Sequence, residues 1–145
     1  TGTGNIGIGI SALSVLIGGT NNIAMGLTAA DAVTTGTDNV AIGRLAFSAS
    51  TDGADNIAIG RSALAVSGND GDNNIAIGQA ALGAGDVSGA SNIAIGTTAA
   101  DALTTGACNI ALGANAWGGG TTGSQNIAID IPYYHFQYVF YQARK

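Results

Sequence analysis

The chain has 145 residues, the size of one domain, with 24 Gly, no Glu and only 9% charged residues. Its net charge of −5 argues against nucleic acid and anionic membrane surfaces as partners. The single Cys108 excludes an intrachain disulfide framework, and every apolar run is interrupted before the roughly 18 residues that a membrane span needs.

A five-residue word, NIAIG, recurs eight times with small changes, and successive copies are 17 or 18 residues apart. Its first letter falls at Asn5, Asn22, Asn39, Asn56, Asn74, Asn92, Asn109 and Asn126. Gly stands three residues before each Asn, and the word closes with Gly in seven copies and with Asp130 in the eighth. A fixed period near 20 residues is the signature of a solenoid, whereas a catalytic site needs one constellation rather than eight.

Within each word, large aliphatic residues flank a small one. The first and third positions after Asn are Ile, Val, Leu or Met, and the position between them is Ala or, in the first copy, Gly7. Alternation with β-branched residues predicts a strand. We expect the large side chains to form ladders in the interior. The small residue then faces a second surface, either the other wall of a flattened coil or a neighbouring chain. The candidate inter-chain face comprises Ala24, Ala41, Ala58, Ala76, Ala94, Ala111 and Ala128.

The segment after each word reads x-x-A-L and is a candidate for a second strand, with a short helical turn as the alternative. Two strands and two turns per repeat predict an all-β fold, a parallel β-solenoid of about eight 17–18-residue coils over residues 1–129. The repeated Gly residues suit its turns, and the repeated Asn suits a corner where side-chain amides stack.

Residues 130–145 break the pattern and contain the only Pro and all four Tyr. Because solenoid ends expose apolar core and unpaired backbone, we interpret this segment as an aromatic cap or as the junction to a following domain. An aromatic surface for carbohydrate is the alternative, with Trp117, Tyr134 and Tyr138 as candidate glycan contacts. Trp117 also fits a role as core filler in place of Leu.

The sequence contains no constellation that predicts catalysis, a cofactor or a metal site. Acid–base hydrolysis of sugars needs paired carboxylates, and this chain has no Glu and places its Asp residues mainly in variable turns without a fixed register. We therefore predict that the chain is not an enzyme.

The word with its preceding Gly and following x-x-A-L resembles the head repeat of trimeric autotransporter adhesins, the YadA-like head. Similar repeats occur in bacteriophage tail-fibre proteins. The resemblance covers residues 2–129, although the repeat here is longer and its extra residues fall in the variable run. It implies a left-handed parallel β-roll, three chains side by side around one axis, and an adhesive or spacer role at a cell or virion surface.

Two functions from different classes follow. The first is a structural and adhesive rod segment of a homotrimeric fibre, a phage tail fibre or bacterial adhesin. It would be extracellular and would attach to a host-cell surface through a glycan or other receptor. The alternative is a monomeric solenoid that binds ice or calcium, suggested by Thr pairs at 34–35, 104–105 and 121–122 and by the Asp residues in turns.

Overall fold

The computed structural model describes residues 2–66, 71–85 and 87–130, together with the backbone of 137–141. These ranges are all-β, as predicted. They contain no helix, and therefore no helix that could span a bilayer. The strands are β1 (Ile6–Ile8), β2 (Ile23–Met25), β3 (Val40–Ile42), β4 (Ile57–Ile59), β5 (Ile75–Ile77), β6 (Ile93–Ile95), β7 (Ile110–Leu112), β8 (Asn126–Asp130) and β9 (Gln137–Tyr141).

Strands β1 to β8 form one parallel sheet in sequence order, and each pairs with the strand of the next repeat. The register follows the word, so that Ala58 lies opposite Ala76. One strand per repeat, stacked in parallel at about 4.8 Å, is the geometry of a parallel β-solenoid, here of about seven turns. The predicted solenoid is confirmed. We call each repeat a coil and number it by its strand.

The large aliphatic side chains of each strand point outward, whereas the prediction placed them in the interior. Ala58 is 0% exposed inside the coil, whereas Ile57 and Ile59 beside it point outward and are only partly buried. The interior is too narrow for a large side chain, because a Cβ on Gly7 would already lie 3.3 Å from the carbonyl oxygen of Ala12. A methyl group fills this gap, so the expected inward ladders of large aliphatics were wrong.

The x-x-A-L segment forms consecutive turns rather than a second strand or a helical turn, so both expectations for it were wrong. Ser62 and Leu64 adopt left-handed φ angles of 57° and 47°, and the same two positions do so in coils 1 to 7. This conformation costs a non-glycine residue about 1 kcal/mol. Neighbouring coils offset that cost: the Ser62 N–H donates to the Arg44 carbonyl, and the Leu64 N–H donates to the Ala81 carbonyl, both at 3.0 Å.

The repeated Asn residues form the predicted corner ladder. From Asn22 onward each is at most 3% exposed. In coil 6, the Asn92 N–H donates to the Asn74 Oδ1 at 2.9 Å, and the Asn92 Nδ2 donates to the Gly106 carbonyl at 2.9 Å. Since a buried amide is costly unless its hydrogen bonds are made, this ladder fixes both the corner and the stacking of adjacent coils.

The Gly that closes seven of the eight words is required by close backbone approach. Gly60 has a φ of +129°, and a Cβ at this position would lie 2.5 Å from the carbonyl oxygen of Gly78 in the next coil. No side chain fits such a contact without separating the coils.

The remaining interior is filled in most coils by two residues three positions apart, which we call the corner pair. Their sizes compensate. Examples are Ala30 with Val33, Phe47 with Ser50, Ala100 with Leu103 and Trp117 with Gly120. In the last of these, a Cβ on the Gly would overlap the indole Nε1. In these four coils a small residue at one position accompanies a larger one at the other, whereas coil 1, at the end of the stack, has Leu13 with Leu16.

The chain reverses direction after coil 8. Strand β9 pairs antiparallel with β8, and Tyr141 lies opposite Asn126. The sheet therefore continues past residue 129, the predicted end of the repeat domain. The rest of the predicted aromatic segment lies outside the described residues, and its role as a cap or junction stays a prediction.

Candidate functional site

The outward side of the parallel sheet is one continuous apolar surface, which we call the aliphatic face. Each of the eight parallel strands contributes two large aliphatic side chains, and none of them is fully buried. They are Ile6, Ile8, Ile23, Met25, Val40, Ile42, Ile57, Ile59, Ile75, Ile77, Ile93, Ile95, Ile110, Leu112, Ile127 and Ile129.

This face extends over the full height of the parallel sheet. Seven strand spacings make it about 34 Å long, and two outward residues per strand give an area of about 300 Å². Exposure along it reaches 55% at Ile8, 40% at Met25 and 41% at Ile95. The largest apolar patch on a typical monomer is about 300–600 Å² and often has a functional role. The arrangement is suited to burial against another protein surface.

Charged side chains border the aliphatic face in coils 3 and 4. Asp38 and Asp55, which precede the repeated Asn, form an acidic edge on one side. Arg44 and Arg61, which follow the word-closing Gly, form a basic edge on the other. All four are exposed. Their signal in the sequence is the heptapeptide DNVAIGR at 38–44 and its near-copy DNIAIGR at 55–61, in which the charged residues lie just outside the five-residue word and were not predicted as site residues.

The Ala residues predicted to meet a neighbouring chain do not lie on this surface. Ala24, Ala41, Ala58, Ala76, Ala94, Ala111 and Ala128 are each at most 1% exposed within a single chain. They pack against the opposite wall of their own coil, so they are unavailable to a partner. This corrects the predicted contact face: the outward surface consists of the aliphatic neighbours of these residues.

The three candidate glycan contacts are not brought together by the described structure. Trp117 is half-buried and packs against the core, and its indole lies over Gly120 and Gly123. This supports the core-filler interpretation for that side chain. Tyr134 and the side chain of Tyr138 lie outside the described residues, so their part in glycan binding stays a prediction.

Two of the Thr hydroxyls that suggested ice binding have hydrogen-bond partners in the neighbouring coil. The Thr34 hydroxyl donates to the Thr51 carbonyl at 3.0 Å, and the Thr104 hydroxyl donates to the Thr121 carbonyl at 2.8 Å. Within the described ranges, no three His, Cys, Asp or Glu side chains are grouped closely enough to hold a metal ion. Neither finding favours the alternative function.

Comparisons of this chain with known protein families, with curated proteins and with solved structures found no match.

Proposed function

We propose that this chain is a rod segment of a homotrimeric surface fibre, of the kind found in phage tail fibres and bacterial adhesins. Three copies lie side by side as left-handed β-rolls, with their aliphatic faces turned toward a common axis. The assembly works outside the cell, on a virion or a bacterial surface. It presents its loops for attachment to a host cell, and it has no catalytic role.

The observation that supports this proposal is the aliphatic face. Burial of about 300 Å² of apolar surface per copy contributes about 7 kcal/mol at 25 cal/mol per Å². Association opposes this gain through lost translational and rotational freedom, at a cost of about 4–15 kcal/mol. Three copies contribute about 21 kcal/mol, the same order of magnitude as the cost of about 8–30 kcal/mol for the two association steps that form a trimer. A single chain in water would leave the whole face solvated.

The adhesive role follows from repetition. The outward turns of successive coils lie in line along the rod. A weak contact made by one turn can therefore recur along the stack and in each of the three copies. Linked weak contacts raise the overall affinity by orders of magnitude without any new contact. We propose cell-surface glycans as the receptor class, and the aromatic segment at 130–145 contributes ring surfaces that stack on sugars.

The oligomer is tested by sedimentation equilibrium. The expected mass is three times the 14.1 kDa of one chain. Ile75→Thr with Ile77→Thr keeps β-branched residues in the strand while placing two hydroxyl groups at the middle of the face, so we expect a folded chain that assembles more weakly. Ile75→Val with Ile77→Val is the matched control and should remain trimeric. A monomeric wild type at high concentration would refute the trimer.

Attachment is tested separately, with fluorescently labelled trimer on immobilised oligosaccharides and on whole cells. Saturable binding that free sugar competes away is the expected result. If the trimer binds neither sugars nor cells, the adhesive role is wrong and only a spacer role is left.

A further inference from the structure

The charged edges of the aliphatic face occur as matched sets. Every coil with Asp on one edge has Arg on the other, and coils 1, 2, 5, 6 and 7 are uncharged at both positions. Those neutral pairs are Gly4 with Ile10, Asn21 with Leu27, Asn73 with Gln79, Ser91 with Thr97 and Cys108 with Ala114. Charges that served only solubility would not need this correspondence.

The two edges do not pair within one chain. Asp38 and Arg44 are separated by the width of the strand, up to about 20 Å of extended backbone, whereas an ion pair needs about 4 Å. Asp38 accepts a hydrogen bond from the Asn21 Nδ2 at 3.1 Å. Among the described residues, neither Arg44 nor Arg61 has a side-chain partner.

Within one chain, each edge also places like charges next to each other. Arg44 and Arg61 occupy the same position in adjacent coils, about 4.8 Å apart along the stack. Like charges at neighbouring positions of a sheet are destabilising. If another molecule placed a column of opposite charges beside each edge, the repulsion between like charges would be relieved on both edges.

Symmetry decides which molecule supplies that column. Rotation about an axis parallel to the stack sets the acidic edge of one copy beside the basic edge of the next, at the same height. An antiparallel two-fold arrangement sets like edges together instead. We infer that Asp38 and Asp55 of one copy pair with Arg44 and Arg61 of the neighbouring copy, which fixes the copies parallel and in register. This inference rests on the proposed oligomer and specifies how it is aligned.

The aliphatic face alone does not define that alignment. Its side chains repeat every coil, so a slip of one coil, about 4.8 Å, brings similar aliphatics together again. The charged edges break the repeat because they occur only in coils 3 and 4. A slip of one coil keeps one of the two ion pairs at each interface, and a slip of two coils keeps neither. Edge charges set pairing and register in coiled coils in the same way.

Charge reversal with rescue tests the ion pairs. Arg44→Asp with Arg61→Asp makes both edges acidic, and we expect the concentration at half-assembly, measured by sedimentation at low salt, to rise about tenfold or more. Adding Asp38→Lys and Asp55→Lys exchanges the edges and should restore assembly. Adding Asp31→Lys and Asp101→Lys instead gives the same net charge away from the face and should not restore it.

Register is tested with the native Cys108, which lies on the same side of the face as the acidic edge, in coil 7. Ala114→Cys places a second thiol on the opposite side of the same coil. A short bis-maleimide should then link neighbouring copies into covalent trimers. Leu27→Cys, on the basic-edge side but five coils away, should give no such link.

The outcomes separate the two proposals. A trimer whose assembly is unaffected by edge reversal, or one that cross-links through Leu27→Cys as readily as through Ala114→Cys, would overturn the inferred pairing and leave the fibre proposal intact. A wild-type chain that stays monomeric would overturn both. Charge-dependent assembly with the expected cross-link supports the inference.

Discussion

On the inner side of β1–β8, the central residue is Ala in seven coils and Gly7 in the first, whereas the outer positions accept Ile, Val, Met or Leu. The inner side meets the chain's own wall at van der Waals distance, so one methyl group is the size that fits. The outer side is covered by no part of the described chain, so only its apolar character is constrained. The uniform inner residue marks a confined volume, and the varied outer aliphatic residues mark a surface that no part of the described chain covers.

The largest effect should come from the corner pair. Phe47→Ala removes a side chain that is 1% exposed and should lower the free energy of unfolding by about 4 kcal/mol. Adding Ser50→Val recreates the pairing found at Ala30 and Val33 and should recover part of the loss, because it also removes the hydroxyl that accepts the Gly53 N–H at 3.2 Å. Denaturant unfolding of the single and double variants measures this coupling. If the two changes are simply additive, volume compensation is wrong.

A direct contrast of inner and outer positions comes from one strand. Ala76→Leu forces a large side chain into the closed interior and should cost about 3 kcal/mol. Ile77→Leu, one residue away on the aliphatic face, should change stability by less than about 1 kcal/mol. Thermal unfolding monitored by circular dichroism compares them. Equal effects would show that the two faces are not distinct.

The corner ladder should contribute somewhat less per residue. Asn74→Ala removes the acceptor of the Asn92 N–H and the donor to the Gly89 carbonyl, leaving buried groups unsatisfied. We expect a loss of about 2 kcal/mol. Asn73→Gly is the control, since this exposed neighbour has a φ of 60° that Gly adopts freely. A loss as large in the control would place the effect in the turn rather than in the ladder.

The smallest effect concerns the first coil, where Gly7 replaces the usual Ala. Gly7→Ala places a Cβ 3.3 Å from the Ala12 carbonyl oxygen and should stabilise the chain by about 0.5 kcal/mol, mainly by restricting the unfolded state. Gly9→Ala should instead destabilise it, since a Cβ there would lie 2.5 Å from the Gly26 carbonyl oxygen. Differential scanning calorimetry resolves both shifts. Destabilisation by Gly7→Ala would show that the interior is closed even to a methyl group in this coil.

The solenoid, its strands and its register were predictable because the period fixes which residues stack. The direction of each side chain was not predictable, because alternation divides the strand residues between two faces but does not show which face lies inside the coil. That choice depends on the distance across the coil, which is set by turns such as Ser62 and Leu64. Their left-handed conformation has no signal in residue type, since Ser and Leu ordinarily avoid it.

Part of the candidate site could be predicted from the sequence. The repeat indicated that the small residue of each strand would meet another surface, and Ala58 does meet the opposite wall of its own coil. The outward position of Ile57 and Ile59 was not predicted. Asp55 and Arg61 are present in the sequence, but their place on either side of the aliphatic face is known only once the bounds of the strand, Ile57–Ile59, are known.

The left-handed residues of each coil bond in both directions along the stack. The Asp55 N–H donates to the Thr37 carbonyl of the preceding coil, and the Leu64 N–H donates to the Ala81 carbonyl of the following one. A coil that loses a neighbour therefore loses the bonds that hold its own backbone in shape. Under tension the rod would peel from its ends, one coil at a time, and each coil would release up to about 60 Å of extended chain. Such a rod would act as an extensible tether that absorbs a pull instead of breaking at once.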